Sequence, residues 1–268
     1  MMNKQDLLKE YKKQEDKMCL AQAIDKLEIS KTRNKIQSTD FLDMYQVSLV
    51  ETFFKKNKFE NYKLFGGYSD SERKVLITYP ENYTEEMIQK NYSKIFKVLR
   101  IELPDEQKGK LTHRNYLGGI VKLGLKREKV GDILVSNEGA DIIVASEFAE
   151  ILAKELQTLT RFENSKITII EISDLRKKEI KIENIEIIVP SLRLDNIVSD
   201  LSRTSRSKAS QIIAQERVFV NGQNETKVSK QVKLGDIITI RGKGRFVIKD
   251  FKGTTRSGRT VILIEKYI

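Results

Sequence analysis

The sequence predicts an α+β protein in three parts, and three observations carry that prediction. Residues 3 to about 59 contain neither proline nor glycine and read as helices. From Tyr62 to Ile172 short β-branched runs alternate with amphipathic stretches, the mark of helices laid on a sheet. The last 79 residues combine two short helical patterns, several strands and most of the net positive charge. The expected parts are a helical N-terminal segment over 1–60, an α+β domain over 61–180, and a basic domain with a C-terminal hairpin over 181–268.

In the first part Leu7, Leu8, Tyr11, Met18, Ala21 and Ile24 follow a loose amphipathic pattern. A further helix is expected from Thr39 to Lys56, capped by Thr39 or Ser38, with Phe41, Leu42, Tyr45, Leu49 and Phe53 at helical spacing. In the second part Lys63-Leu64-Phe65 and Val75 to Tyr79 form a hairpin, and Ile95 to Leu103 is a strand that stops before Pro104. Thr112 opens a helix through His113-Arg114-Asn115-Tyr116-Leu117-Gly118-Gly119, where the glycines imply close packing or close approach by a ligand. Gly131 to Val135 and Ala140 to Val144 make a second hairpin, Ser146 to Leu159 a helix, and Lys166 to Ile172 a strand. This order is compatible with an RRM-like α/β sandwich, although the aromatic signature that reads RNA on two central strands is absent. Residues 173–189, rich in Lys and Glu, read as a connector that Pro190 closes.

In the third part Leu194, Ile197, Val198 and Leu201 stand at i, i+3, i+4 and i+7, one buried helix face. Ser205 is an N-cap for a second helix whose first turn holds Arg206 and Lys208. Unpaired N–H groups and partial positive charge at a helix start, joined by two cations, make a phosphate site. Arg217 to Val220 is a strand ending in an Asn221-Gly222 turn, and Val232 to Ile240 supplies another. Arg241, Lys243 and Arg245 then lead a basic stretch with Lys249, Lys252, Arg256 and Arg259. That stretch reads either as a flexible loop following RNA or as a hairpin whose exposed positions are basic.

The charge distribution supports a polyanion partner. Of the net +11, residues 190–268 carry 16 Lys+Arg against 7 Asp+Glu, whereas residues 1–189 carry 33 against 31. On charge alone, a basic surface kept for solubility stays open. No run reaches the roughly 18 to 20 apolar residues that cross a bilayer, and the start lacks a signal-peptide core, so a cytoplasmic protein without membrane attachment is expected. A single cysteine, Cys19, and a single histidine, His113, exclude an intrachain disulfide and a His/Cys zinc site.

The pieces R-L-D from Arg193, S-R-S-K-A from Ser205, V-x-V-N-G from Val218 and V-x-x-G-D-x-I from Val232 resemble the αL RNA-binding module, the S-four domain. That family usually has glycine before the V-x-V-N-G strand, where a helix end needs positive φ; this chain has Glu216. The resemblance implies that the two helices dock on RNA backbone through Arg193, Arg203, Arg206, Lys208 and Arg217. Ser205, Asn221, Arg241, Lys243 and Arg245 complete the expected RNA-binding set. The stretch from His113 to Gly119, followed by Lys126-Arg127-Glu128-Lys129-Val130-Gly131-Asp132-Ile133, is similar to the middle domain of the bacterial YlmH family, which often has Asp at the position of Asn115. His113 and Arg114, side by side on this glycine-rich helix, are the candidate second RNA contact. The likeness implies binding to ribosomal RNA and tRNA on a large ribosomal subunit that still holds a peptidyl-tRNA, in support of C-terminal tailing of stalled chains during ribosome-associated quality control.

An RNA-modifying enzyme of the pseudouridine synthase or methyltransferase type, targeted by an S-four domain, would share the same basic end. The chain has no G-x-G-x-x-G after a strand, no G-x-x-x-x-G-K-[ST], no H-E-x-x-H and no G-x-S-x-G. Gly66-Gly67 leads to another strand instead of the helix that a methyl-donor site needs. His113, Cys19, Asp141 and Glu147 lack the partners of a catalytic set. The expected protein is therefore non-catalytic and uses neither metal nor small-molecule cofactor.

Overall fold

The structure, a computed structural model, describes residues 4–176 and 182–267. The chain divides into two compact units, Met1–Lys178 and Glu179–Ile268. The junction expected at residues 180 and 181 lies outside the described residues.

The first unit begins with α1 (Lys4–Leu8), α2 (Gln14–Arg33), the short strand β1 (Gln37–Ser38) and α3 (Met44–Lys56). The helices close over Leu20, Ile24, Leu27, Val50, Phe53 and Phe54. Helix α3 starts later than Thr39, because Asp43 and Gln46 form a reciprocal capping box with bonds of 2.9 and 3.0 Å. Ser38 and Thr39 serve the sheet instead: Ser38 pairs with Ile77, and the Thr39 hydroxyl accepts from the Leu76 N–H at 3.0 Å. The expected hairpin is present as β2 (Tyr62–Phe65) and β3 (Val75–Thr78), with β1 on the far edge of β3.

After α4 (Glu85–Lys90) and α5 (Tyr92–Ile95) come β4 (Phe96–Glu102), α6 (His113–Lys122), β5 (Val130–Ser136), β6 (Gly139–Ala145), α7 (Ala149–Gln157) and β7 (Lys166–Ile170). The four strands lie antiparallel in the order β5-β6-β4-β7, the βαββαβ arrangement of the ferredoxin-like and RRM folds. Helix α7 is one turn shorter at its start than expected, since residues 146–148 form a 3-10 turn and the Ser146 hydroxyl donates to the Ser93 carbonyl at 3.0 Å. Helices α6 and α7 cover one sheet face through Tyr116, Ile120, Leu152 and Leu156, joined by Phe162 from the turn after α7. Gly119 is there for packing, as a Cβ would lie 2.8 Å from the Phe162 ring.

The N-terminal segment covers part of the other face. Phe41, Val75, Ile77 and Ile88 pack with Phe96, Val98 and Ile143 in one core. A bulge between Val130 and Ile133 aims Asp132 at this seam, where it accepts from the Tyr68 hydroxyl (2.8 Å) and the N–H groups of Glu72 (2.7 Å) and Arg73 (3.1 Å). Arg73 in turn donates to the carbonyls of Val130 and Phe41, and Arg127 to those of Val130 and Gly131. Burial first, then neighbouring Arg73, pulls Arg127 down to about 10. The stretch from Arg127 to Asp132 is thus a structural seam.

The second unit contains β8 (Ile182–Val189), α8 (Leu194–Ser202), α9 (Arg206–Ala214), β9 (Val218–Val220), β10 (Gln223–Asn224), β11 (Ile237–Ile240), β12 (Gly244–Thr254) and β13 (Thr260–Tyr267). Its six strands run β10-β9-β11-β12-β13-β8. One expectation changes, and one choice left open by the sequence is decided in favour of the expected hairpin. Of the connector expected over 173–189, residues 172–174 form a 3-10 turn and 182–189 a strand along β13: Ile187 and Val189 are buried while Glu186 and Ile188 are exposed, which hides the alternation behind its charges. The basic stretch is a long hairpin, not a flexible loop, because Phe246, Ile248, Ile262 and Ile264 enter the core.

Replacing Gly131 by Ala should destabilise the first unit by about 1 to 3 kcal/mol, since the new Cβ would sit 2.7 Å from the Phe41 ring. Urea unfolding of the full chain measures this; a variant as stable as the wild type would mean that the ring is not seated there.

Candidate nucleic-acid interface

Helices α8 and α9 are set by their buried faces, Leu194, Ile197 and Val198 on one and Ala209, Ile212 and Ile213 on the other. The turn between them is tightly bonded. Arg203 N–H donates to the Asp200 carbonyl at 2.9 Å and Thr204 N–H to the Ser199 carbonyl at 2.9 Å, the Schellman pair that ends a helix. This places Arg203 at φ 52, a left-handed conformation that costs a non-glycine residue about 1 kcal/mol. Ser205 caps α9 as expected, its Oγ accepting from the Lys208 N–H at 3.2 Å. The other end of α9 repeats the Schellman pattern with Glu216 at φ 56, so the residue replacing the family's glycine adopts the same backbone.

The Arg-Leu-Asp motif explains itself in this geometry. Asp195 is 2% exposed. Its carboxylate accepts from Arg193 Nε (3.1 Å) and Nη2 (2.8 Å), from Arg206 Nε (3.0 Å) and Nη2 (2.9 Å), and from the Asn196 N–H (3.0 Å). Hydrogen bonds from Arg193 above all, then Arg206, hold the Asp195 carboxyl below the usual aspartate range. Arg193 and Arg206 are therefore oriented cations with one charge between them neutralised. Arg203 and Lys208 are exposed, and neither has an ion-pair partner among the described residues.

A polar groove of about 670 Å³ runs from Pro190 past Asn196, Ser199, Arg203, Ser205 and Arg206. Arg203 also borders a second hollow of about 560 Å³, lined by Lys243 and Lys266 and by Glu183, Glu186 and Asp200, so the helix turn and the β11–β12 turn meet at a hollow of mixed charge in which Lys266 is paired with Glu183. At that second turn Arg217 donates to the Arg241 carbonyl at 3.2 Å, and the Arg241 guanidinium lies over Phe219 with its centre 5.0 Å from the ring centroid. Two expected contacts have structural work. Arg245 packs over Tyr267 at 5.1 Å. The Asn221 carboxamide bridges turns, donating to Asp236 and accepting from the Ile237 N–H at 2.9 Å each.

His113 and Arg114 belong to the first unit, exposed in the opening turn of α6. Asn115 beside them caps this helix, its carboxamide oxygen accepting from the Thr112 N–H (2.8 Å) and hydroxyl (2.9 Å). An uncharged amide suffices for that task. Among the described residues no cluster of His, Cys, Asp and Glu could hold a metal ion, and no helix is long and apolar enough to cross a membrane. The Asp195 clasp went unseen in the sequence, where only the spacing of Arg193, Asp195 and Arg206 around a predicted helix turn hinted at it.

Residues 90–175 match the family model of the RNA-binding domain in YlmH, and residues 192–238 match the S4 domain. The ribosome-associated protein quality control protein P2 of Bacillus subtilis (strain 168) is 28% identical over 261 residues, 97% of this chain and 98% of that protein. Among solved structures, the cell division protein YlmH of Streptococcus pneumoniae matches 62% of this chain and 98% of its own at 20% identity, with a TM-score of 0.47.

Because the folded Asp195 titrates below an unfolded aspartate, its contribution to stability is present above about pH 4 and is lost as pH falls through the lower folded value. The stability gap between wild type and Asp195→Asn in urea should shrink as pH is lowered from about 6 to about 3. A gap independent of pH would contradict the clasp.

Proposed function

This chain is a member of the YlmH family, and from that premise we propose that it is a non-catalytic, cytoplasmic RNA-binding factor of ribosome-associated quality control. It binds the large ribosomal subunit that still holds a peptidyl-tRNA after stalling, and supports C-terminal tailing of the nascent chain. The printed name of the Bacillus subtilis relative supports the setting. The observation that carries RNA binding is the strip formed by Arg203, Ser205 and Lys208 beside the Asp195-oriented pair Arg193 and Arg206. Fixed guanidiniums, a capped helix start and exposed cations suit phosphate oxygens, which give register and affinity, while RNA shape supplies selectivity. Arg217, Arg241 and Lys243 extend the strip, and His113 with Arg114 offer a separate contact on the first unit.

The non-catalytic reading is supported by what the reactive groups are engaged in. Burial pushes the Cys19 thiol up to about 11, which suppresses the thiolate. Asp141 is fully buried and bound by Arg100 at 3.0 and 2.8 Å. Asn115 caps a helix. Turnover on ribosomal RNA or tRNA by the purified protein would overturn this reading.

Arg206 is a poor choice for a charge-reversal test, because a glutamate there would face buried Asp195. Arg203→Glu with Lys208→Glu avoids that conflict. The pair should abolish co-sedimentation with large ribosomal subunits, leave the circular dichroism unchanged, and reduce the salt slope of RNA affinity by roughly 1.5. Wild-type sedimentation at physiological salt would contradict the proposed surface.

A further inference from the structure

We propose that the first unit meets RNA backbone with the outer ridge of α6, formed by Arg114, Gly118 and Lys122, and not with the face of its four-stranded sheet. The inference rests on the reading of this chain as an RNA-binding protein and assigns a surface within the matched domain. RRM-type sheets use stacking on an open face. Here Phe96, Val98 and Ile143 on that face are buried under Phe41, Val75 and Ile77. Farther along, Arg100 is bound to Asp141, which also accepts from the Arg176 N–H at 2.9 Å. These groups are committed to one another, so the sheet offers neither stacking rings nor available cations there.

The helix side differs. From Gln107 to Arg127 the sequence holds six Lys and Arg and no Asp or Glu, although residues 1–189 as a whole are nearly balanced; Lys108 is paired with Asp105 and Glu138 and Arg127 lies in the seam, which leaves Arg114 and Lys122 as the cations of the ridge itself. Arg114, Gly118 and Lys122 are spaced i, i+4 and i+8 along one ridge, and all three are exposed. Neither cation has an ion-pair partner among the described residues. They stand two turns apart, roughly 12 Å along the axis. Arg161 adds a third cation near the start of the ridge, its Nη1 donating to the Asn115 carbonyl at 3.4 Å.

Gly118 is the sharper signal. Glycine weakens a helix interior relative to alanine. Gly119 has a packing reason, the Phe162 ring, but a Cβ on Gly118 would meet nothing within 4 Å. Nothing inside the fold requires its absence. A bare backbone between two cations lets a sugar-phosphate chain approach the helix closely, and exposed Val121 offers an apolar edge to the sugars.

The test uses the full chain with deproteinised ribosomal RNA and, in parallel, intact large subunits. Arg114→Glu with Lys122→Glu should weaken binding to both by roughly tenfold and lower the salt slope, with Tm unchanged. Gly118→Ala should raise Tm yet weaken binding several-fold, a combination that a purely structural glycine would not produce. Wild-type affinity in both variants, while Arg203→Glu with Lys208→Glu loses RNA, would overturn the ridge and leave the RNA reading standing. Loss on subunits without loss on bare RNA would assign the ridge to a protein partner and overturn the proposal as well. If the wild-type chain itself bound neither the bare RNA nor the subunits, the RNA reading would fall and the ridge with it.

Discussion

A carboxylate almost sealed from water, Asp195, accepts hydrogen bonds from two arginines, one just before α8 and one at the start of α9. Left alone, a buried carboxylate is costly, and clustered guanidiniums repel one another. Together they offset both penalties, and the α8–α9 turn is secured at the place where the chain exposes Arg203 and Lys208. The motif residues Arg193, Asp195 and Arg206 are thus explained by a contact that no single helix contains. Positive φ at Arg203 follows from the Schellman end of α8, and the Ser205 cap begins α9 at once. Electrostatics, capping and backbone geometry all converge on the same short surface.

In the first unit the organising constraint is the seam at Gly131 and Asp132. A bulge turns Asp132 toward the loop before β3, while the missing Cβ at Gly131 admits the Phe41 ring. The N-terminal segment is thereby fastened over part of the sheet face that RRM-type domains keep open. A fold shared with RNA readers need not use the same face, which is why the chemistry of particular residues has to decide.

Much of this was legible in the sequence. The period of the apolar residues marked β4, β5, β6, α6, α8 and α9 to within a few residues, and Ser205 marked its own cap. Glu216, standing where the family has glycine, takes the same left-handed backbone. What escaped were features made by distant contacts. Glutamates between the isoleucines of 182–189 resembled a linker, and only pairing with β13 makes it a strand. Thr39 looked like a cap until the sheet claimed its hydroxyl. Arg206 looked like an available cation, and Asn221 like a contact residue, because their partners, Asp195 and Asp236, lie 11 and 15 positions away. The closure of the sheet face joins Phe41 to Ile143, a separation over which local patterning carries no information.

The central claim is that RNA lies against the α8–α9 turn. Photocrosslinking the protein to RNA on large ribosomal subunits, followed by mass spectrometry of the crosslinked peptides, measures this directly. The account predicts crosslinks concentrated in the peptides that contain Arg203 to Lys208. Crosslinks confined to other peptides, with these residues unmodified, would contradict it.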